Sequence, residues 1–235
     1  MIRYAKLPLD FDVKAIQSEL LSLAEAEWQP HFNSYHYTGS WTVLALRSPD
    51  GSSDNIIPEL MQSDDFAETK YMAYFPSVKK MLAGVKCPIM SVRFLNLKPG
   101  AAIKEHQDNE LAFEKGEARL HFPIFTNPEV EFYAEQDRII LNEGECWYLN
   151  ANLPHRVANY GRTDRIHLVM DCTVDDWLTN IMNSASKIAY KEEVINEREL
   201  LLMIENLRSQ NTETAERMAL AFEQKLKEHN RAGAA

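Results

Sequence analysis

The chain has 235 residues, of which 45% are hydrophobic, and a formal net charge of -10 at pH 7. This length suffices for one domain with its own core, or for one domain with an appendage. The negative charge argues against nucleic acid and anionic membrane as partners, because both would repel such a surface.

The first residues lack the apolar segment of a signal peptide, and no run of the sequence is apolar for long enough to cross a bilayer. The three cysteines are odd in number and contain no CxxC pair, which disfavours a disulfide framework and a zinc ribbon. We therefore predict a cytoplasmic protein, and a reducing compartment would also suit ferrous iron.

The first half of the chain predicts helices and strands in alternation. Residues 12–27 carry apolar side chains at helical spacing, with Asp12 as a candidate N-cap. Residues 34–47 are rich in aromatic and β-branched residues and predict the first pair of strands. A helix is expected over 69–83, interrupted or restarted at Pro76, followed by a strand over 87–97.

The second half continues with short strands and ends in helices. Residues 109–116 predict a loop, residues 131–144 a hairpin and residues 145–150 a further strand. A helix is expected from Thr173 to Tyr190, with Asp176 completing a variant capping box. Two more helices follow, over 192–207 and 214–228. We predict a main domain over 1–175 and a C-terminal helical extension over 176–235.

The extension carries two apolar stripes at helical spacing. Their residues are Leu200, Met203, Ile204, Leu207, Met218, Phe222 and Leu226. Helices of this length are marginal in water unless such stripes are buried. They are expected to pack either on their own domain or against a second copy, and we favour a homodimer.

Two motifs predict a metal site. In His106-Gln-Asp108, positions i and i+2 of an extended strand point to the same side, so both side chains can reach one ion. His155, in a Pro-His turn, would supply a second imidazole. Two imidazoles and one carboxylate on one face of an ion are typical of non-haem Fe(II) oxygenases. We predict that His106, Asp108 and His155 bind iron.

Two further strands place an arginine and a histidine on a common face. Arg165 shares a face with His167 in an otherwise apolar strand, where a guanidinium needs an anionic partner. That partner could be Asp164 or Asp171, or a bound acid. Arg119 and His121 form a similar pair. His167 alone is more often a core histidine.

Together these motifs resemble the aspartyl/asparaginyl β-hydroxylase-like branch of the 2-oxoglutarate and Fe(II) dependent dioxygenases, which includes free-proline hydroxylases. The matching segments are Leu97-Lys-Pro-Gly100, His106-x-Asp108, Arg119-x-His121, Pro154-His155 and the strand from Arg165 to Asp171. The resemblance implies a mainly β fold with flanking helices, a double-stranded β-helix or cupin-like jelly roll. It also implies Fe(II), 2-oxoglutarate and O2 as cofactor and co-substrates, with Arg165 on the distal carboxylate and Arg119 and His121 near the proximal one.

The function expected from this resemblance is hydroxylation of an amino acid or of an amino-acid residue in a peptide, coupled to decarboxylation of 2-oxoglutarate to succinate. Arg93, Trp41 and Trp147 are candidate substrate contacts, although a salt bridge or a core position would explain each of them as well. The alternatives are a cupin-type protein that binds a metal and a small acid without turnover, and an interaction scaffold that uses its helical tail.

Overall fold

The computed structural model describes residues 1–23, 27–56, 65–108, 111–191 and 197–232. The chain folds into two compact units, 1–191 and 192–235. The predicted boundary after residue 175 stays a prediction. It lies upstream of the division between the units, because a strand at 187–190 pairs with the first strand of the chain.

The first unit contains fourteen strands and three α-helices within the described residues. The strands are β1 Ile2–Leu7, β2 Gln29–Pro30, β3 Tyr37–Thr38, β4 Trp41–Pro49, β5 Phe66–Glu68, β6 Ile89–Leu97, β7 Ala102–His106, β8 Glu117–Phe125, β9 Val130–Ala134, β10 Asp137–Ile139, β11 Cys146–Leu149, β12 His155–Asn159, β13 Arg165–Thr173 and β14 Lys187–Tyr190. The helices are α1 Val13–Leu21, α2 Pro76–Leu82 and α3 Asp176–Asn183.

The strands form two antiparallel sheets. The larger sheet has the order β14-β1-β11-β8-β13-β6-β4-β2, with β5 paired to β4, and the smaller has the order β10-β9-β12-β7-β3. Along the chain from β6 to β13 the strands alternate between the sheets, apart from the β9–β10 hairpin. This alternation defines a double-stranded β-helix, so the predicted mainly β jelly roll is confirmed.

Apolar side chains build two cores. One lies between the larger sheet and the helices, where Ile16 of α1, Val78 of α2 and Leu178 of α3 belong to the same buried cluster as Phe94 and Leu168. The other lies between the two sheets and includes side chains such as Val43, Val169, Ile103, Phe132 and Val157. Because a strand sends alternate side chains to opposite faces, the same strands can supply both cores. Among the described residues, buried polar side chains enter the inner core at the site described below and at Asn159 of β12.

Several predicted elements are confirmed. Asp12 caps α1 by accepting a hydrogen bond from the backbone N–H of Ala15 (3.0 Å), and α1 ends at Leu21; residues 24–26 of the predicted helix lie outside the described part. Pro76 is the first residue of α2, after a short 3-10 segment. The hairpin of β9 and β10 is also present.

Two predictions in the N-terminal half were wrong or incomplete. Residues 34–47 do not form a strand pair, because β3 pairs with β7 of the smaller sheet while β4 joins the larger one. A left-handed Gly39 (φ 78°) between them lets the chain change sheets close to Ala101. Strand β1 was not predicted, although it pairs with β11 along four residues.

The single helix predicted from Thr173 to Tyr190 was also wrong. Helix α3 begins after Asp175, whose side chain accepts a hydrogen bond from the N–H of Leu178 (2.9 Å), so Asp175 replaces Thr173 as the cap. Residues 187–190 form β14 instead of helix, because pairing with β1 satisfies backbone groups at the edge of the sheet.

The second unit contains α4 Glu197–Ser209 and α5 Glu213–Ala232, which matches the predicted helical tail. Arg208 of α4 contacts Glu223 of α5 at 2.8 Å. Ile204, Ala215 and Ala219 are buried, whereas Leu201, Leu202 and Met218 are about half exposed. Among the described helices of both units, none is long and apolar enough to span a membrane.

Candidate active site

The structure brings the three predicted metal ligands together. His106 ends β7 and His155 begins the adjacent strand β12, where the two residues are direct cross-strand partners. Asp108 lies two residues beyond β7, not on the strand as predicted, and its N–H donates to the carbonyl of Ala151 at 2.8 Å. One donor atom from each residue lies within 4.8 Å of the other two. We call these three residues the ligand trio.

Hydrogen bonds to the backbone orient both imidazoles. Nδ1 of His106 lies 2.8 Å from the carbonyl of Lys104, and Nδ1 of His155 lies 2.9 Å from the carbonyl of Leu153. A carbonyl only accepts, so each Nδ1 carries the proton and each Nε2 lone pair is available to a metal. Burial lowers the pKa of His155 to about 4, which keeps this imidazole neutral at pH 7. The donor set therefore fits a ferrous ion with one open face.

An ion-pair network holds the ligand carboxylate. Arg119 contacts Asp108 through one guanidinium nitrogen and Asp171 through two others, at 2.7 and 3.1 Å. Burial alone would raise the pKa of Asp108. The charge of Arg119, together with His155, His106 and Arg93, outweighs this effect, so the pKa of Asp108 is lowered. Asp108 is thus an anion, as a metal ligand must be.

Asp171 is the buried centre of this network. Its carboxylate also accepts a hydrogen bond from Ser91 (2.9 Å) and pairs with Arg93 (3.2 Å). Although burial opposes ionisation, Arg119 and Arg93 hold the pKa of Asp171 well below its ordinary value. The stability that this carboxylate contributes is therefore complete above about pH 4 and is lost only as the pH falls further.

Replacing Asp171 by asparagine is expected to destabilise the fold by about 3–5 kcal/mol, because two buried arginines lose their shared anion. Urea unfolding at pH 7 measures this change. The matched control is Asp164→Asn, which removes a partly exposed carboxylate 2.9 Å from Lys98 and should cost about 1 kcal/mol or less. Equal losses in the two variants would contradict the central role given to Asp171.

Arg165 is a buried cation that contacts no carboxylate among the described residues. Only 2% of its surface is exposed. One guanidinium nitrogen lies 2.9 Å from Nδ1 of His167, Nε has no hydrogen-bond partner in the described part of the chain, and the group lies 6.0 Å from the centre of the Phe132 ring. Burial lowers the pKa of Arg165 to about 9, which leaves it charged at pH 7. Such a group requires an anion from outside the described residues.

Aromatic rings connect Arg165 with the ligand trio. The Phe132 ring lies 6.4 Å from that of His155 and 6.3 Å from that of His121, and His121 lies 5.8 Å from His167. Nδ1 of His121 and Nε2 of His167 are buried without partners among the described residues. Burial lowers the pKa of both histidines far below 6.5, so both are neutral. These unused polar atoms therefore belong to the series of ring contacts that connects the trio with Arg165.

A cavity of about 600 Å³ ends at Arg165 and His167. Its lining residues come mainly from the end of β8 and from the hairpin region of β9 and β10, with Asn127, Arg138 and Asn142 among the polar ones. The ligand trio does not line this cavity. Because Arg165 lies at the start of β13 and Asp171 near its end, the buried cation and the Arg119 network occupy opposite ends of one strand.

The three predicted substrate contacts differ in their surroundings. Arg93 belongs to the Asp171 network, close to the metal end of the site. Trp41 is buried, and its indole N–H has no partner among the described residues. Trp147 donates its indole N–H to Glu145 (2.8 Å) and packs against Tyr4. Its polar atom is thus already satisfied by the protein, and its role as a substrate contact stays a prediction.

Sequence reasoning considered Asp171 only as a partner for Arg165, and it missed His31, whose ring stacks on that of Trp41. Asp171 follows Arg165, His167 and Val169 at alternate positions of β13, so the alternation itself places it on the inner face. His31 was missed because the strand β2 that precedes it is only two residues long. No periodic signal marks such a residue.

The fold and the ligand trio define a double-stranded β-helix protein with a two-histidine, one-carboxylate metal site. The chain belongs to the aspartyl/asparaginyl beta-hydroxylase family, whose model matches residues 10–174. It is 27% identical over 164 residues to the L-proline cis-4-hydroxylase of Rhizobium meliloti (strain 1021), covering 68% of this chain and 57% of that protein.

Two further likenesses are weaker. The L-proline cis-3-hydroxylase 2 of a Streptomyces species is 23% identical, over 58% of this chain and 48% of its own. The viral collagen prolyl hydroxylase of Paramecium Bursaria Chlorella virus-1 is 11% identical, with a TM-score of 0.44 over 73% of this chain and 96% of its own. The chain spans only about half the length of the curated relatives it matches.

Proposed function

We propose that this protein is an Fe(II)- and 2-oxoglutarate-dependent hydroxylase of a free amino acid. The observation that carries the proposal is the buried guanidinium of Arg165, which has no carboxylate partner in the described part of the chain, in a site that also holds the ligand trio. Ferrous iron with a bound 2-oxo acid supplies chemistry that couples decarboxylation to hydroxylation of an unactivated C–H bond. The balanced reaction converts substrate, O2 and 2-oxoglutarate into hydroxylated substrate, succinate and CO2.

The protein's own residues bind the metal and orient 2-oxoglutarate. His106, Asp108 and His155 hold the metal, and Arg119 fixes the ligand carboxylate against Asp171. Arg165 binds the distal carboxylate of 2-oxoglutarate through a charge-assisted contact, with Phe132 and His167 as walls. His121 offers a neutral imidazole between that anchor and the metal. The predicted contact of Arg119 with the proximal carboxylate stays a prediction, since Arg119 already binds two carboxylates of the protein.

A buried cation near the ligand trio favours a substrate with a free carboxylate. Arg93 is 7% exposed and lies 3.2 Å from Asp171, at the metal end of the site. A guanidinium in this position can bind a substrate carboxylate through a charge-assisted hydrogen bond. The L-proline hydroxylases among the relatives favour L-proline as the first candidate.

The test is a screen for succinate formation by the full chain with Fe(II), 2-oxoglutarate and each free amino acid, followed by mass spectrometry of the amino acid. We expect one amino acid to stimulate succinate formation and to gain the mass of one oxygen. A peptide with an internal aspartate serves as the rival substrate. If neither free amino acids nor the peptide stimulated turnover while iron and 2-oxoglutarate both bound, a binding or sensing role would replace catalysis.

We also propose that α4 and α5 form a homodimer contact. Leu201 and Leu202 of α4 and Leu220 of α5 are each 53% exposed. An exposed apolar cluster of this kind marks an interaction surface, and a twofold contact is its commonest form.

Replacing Leu201 and Leu202 together by glutamate is expected to convert a dimer into a monomer at micromolar concentration, because charge would be buried at the contact. Sedimentation velocity measures the change. The matched control is Leu21→Glu in α1, whose side chain is 78% exposed in the other unit and should leave the dimer intact. A wild-type protein that sediments as a monomer at that concentration contradicts the proposal.

A further inference from the structure

A group of aromatic side chains near the metal end of the site has no role in the function described so far. The ring of His31 stacks flat on that of Trp41, with centroids 3.5 Å apart and an interplanar angle of 11°. Tyr37 lies edge-on against both rings. We call His31, Tyr37 and Trp41 the aromatic corner. Its position follows from β3, which pairs with β7, the strand that ends in His106.

The aromatic corner lies within electrostatic reach of the metal end. The charges of Arg93, Asp108 and Arg119 all act on His31. Five residues further along the chain, the ring of His36 lies edge-on to the ring of the ligand His106, with centroids 5.6 Å apart. His31 is therefore close enough to the trio and to Arg93 to feel their charges.

The hydrogen bonds of His31 fix which nitrogen can donate. The backbone N–H of Asn33 donates to Nδ1 of His31 at 3.4 Å, so Nδ1 accepts and Nε2 carries the proton. No described residue accepts a hydrogen bond from that Nε2–H. Burial, followed by the charge of Arg93, lowers the pKa of His31 to about 3, so the ring is neutral at pH 7.

A second donor in the corner also lacks a partner. The indole N–H of Trp41 is buried, and no described residue accepts its hydrogen bond. Buried donors are nearly always satisfied in native proteins, so an unused indole N–H beside the partly exposed donor of His31 indicates a ligand that accepts hydrogen bonds. Acceptors on an amino-acid substrate are its carboxylate oxygens, and Arg93 is the nearby cation.

We propose that the His31–Trp41 pair is the substrate-recognition element of this site, and that Nε2–H of His31 donates a hydrogen bond to the carboxylate of the amino-acid substrate. This inference rests on the proposed function, because it presupposes an amino acid beside the metal. It adds a specificity-determining residue that contacts neither the iron nor 2-oxoglutarate. The aliphatic part of the substrate would lie against the faces of the aromatic corner.

The test compares His31→Phe, which keeps an aromatic ring for the stack but has no donor, with His31→Gln, which keeps an N–H donor. With L-proline, or with whichever amino acid supports turnover, we expect the phenylalanine variant to raise KM for the amino acid by about 10- to 100-fold. Its KM for 2-oxoglutarate should remain within about twofold. The glutamine variant should recover part of the loss.

The primary amide of the same amino acid tests the contact with the carboxylate. A purely structural role for His31 would leave the preference for the acid over the amide unchanged. The amide should be a poorer substrate than the acid for the wild-type enzyme, and this preference should shrink in His31→Phe, because the variant lacks the donor that distinguishes the two. An unchanged KM, or an unchanged acid-to-amide preference, in a variant whose melting temperature matches the wild type would overturn the proposal. If His31→Phe does not fold, the test uses His31→Gln alone. An acid-to-amide preference equal to that of the wild type then supports the proposal, and an altered preference contradicts it.

The two proposals fail in different ways. If no amino acid stimulates turnover by the wild-type enzyme, the proposed function fails, and binding of L-proline to the iron- and 2-oxoglutarate-loaded protein under anaerobic conditions still tests His31. Binding that is weakened in His31→Phe supports the assignment, whereas equal binding or none contradicts it. If the wild type shows turnover and His31→Phe has an unchanged KM for the amino acid, the role assigned to His31 is wrong and the proposed function still stands.

Discussion

His155→Ala is expected to lower Fe(II)-dependent consumption of 2-oxoglutarate by at least about a thousandfold while leaving the protein folded. The ligand trio supplies only three protein donors, and losing one imidazole removes both affinity for the ion and the geometry of its open face. The fold should persist because His155 is at the first position of β12, and the cores depend on apolar side chains such as Val157. Succinate formation and a thermal melt measure the two effects.

The control is Lys14→Ala, which removes a side chain that is 79% exposed on α1. It should retain wild-type turnover. Equilibrium dialysis against Fe(II) gives a separate readout, since His155→Ala should bind iron much more weakly than the control variant. Full consumption of 2-oxoglutarate by His155→Ala would show that the trio is not the metal site.

Arg165→Met is expected to have two opposite effects. In the absence of 2-oxoglutarate it should stabilise the protein by about 1–4 kcal/mol, because it replaces a buried cation by an apolar side chain of similar length. The pKa of Arg165 is lowered in the folded state, to about 9, so its charge costs stability at any pH below that value, and a neutral side chain removes this cost. The melting temperature of the free protein should therefore rise.

The same substitution should raise KM for 2-oxoglutarate by roughly 10- to 100-fold, because a hydrogen bond to a charged group is lost. The stabilisation that 2-oxoglutarate gives the wild-type protein should also disappear. Arg156→Met is the matched control: this guanidinium is partly exposed, lies 3.0 Å from Glu105 and is stacked on Tyr133. It should change stability by about 1 kcal/mol or less. A destabilised Arg165→Met with unchanged affinity for 2-oxoglutarate would place the anchor elsewhere.

The metal ligands and Arg165 could be predicted from the sequence, whereas the ion pairs around Asp171 that support them could not. The i, i+2 spacing of His106 and Asp108 correctly indicated that both side chains reach one place, even though Asp108 lies beyond the strand. Arg165 was predicted to need an anion because a guanidinium in an apolar strand cannot remain unpaired. Asp171 was considered only as a partner for Arg165. The structure pairs it instead with Arg119 and Arg93, and a choice between cross-strand neighbours depends on register, which periodicity does not contain.

The errors in the fold have a common physical cause. Residues 187–190 and 2–7 are short segments that become strands only because they pair with each other and with β11. Local propensity carries little information about such long-range pairing. The same applies to β3, which joins the smaller sheet rather than its neighbour in sequence. His31 belongs to this class too, because its place is set by the long-range pairing of β2 with β4.

The most direct test of the central claim is turnover under ¹⁸O2 with the full chain, Fe(II), 2-oxoglutarate and the amino acid found by the screen. The balanced reaction predicts one heavy oxygen atom in succinate for each turnover and one in the hydroxylated amino acid, with both products absent in His155→Ala. Hydroxylated product that carried no heavy oxygen and formed without equivalent succinate would contradict the assignment of this site as a 2-oxoglutarate-dependent hydroxylase.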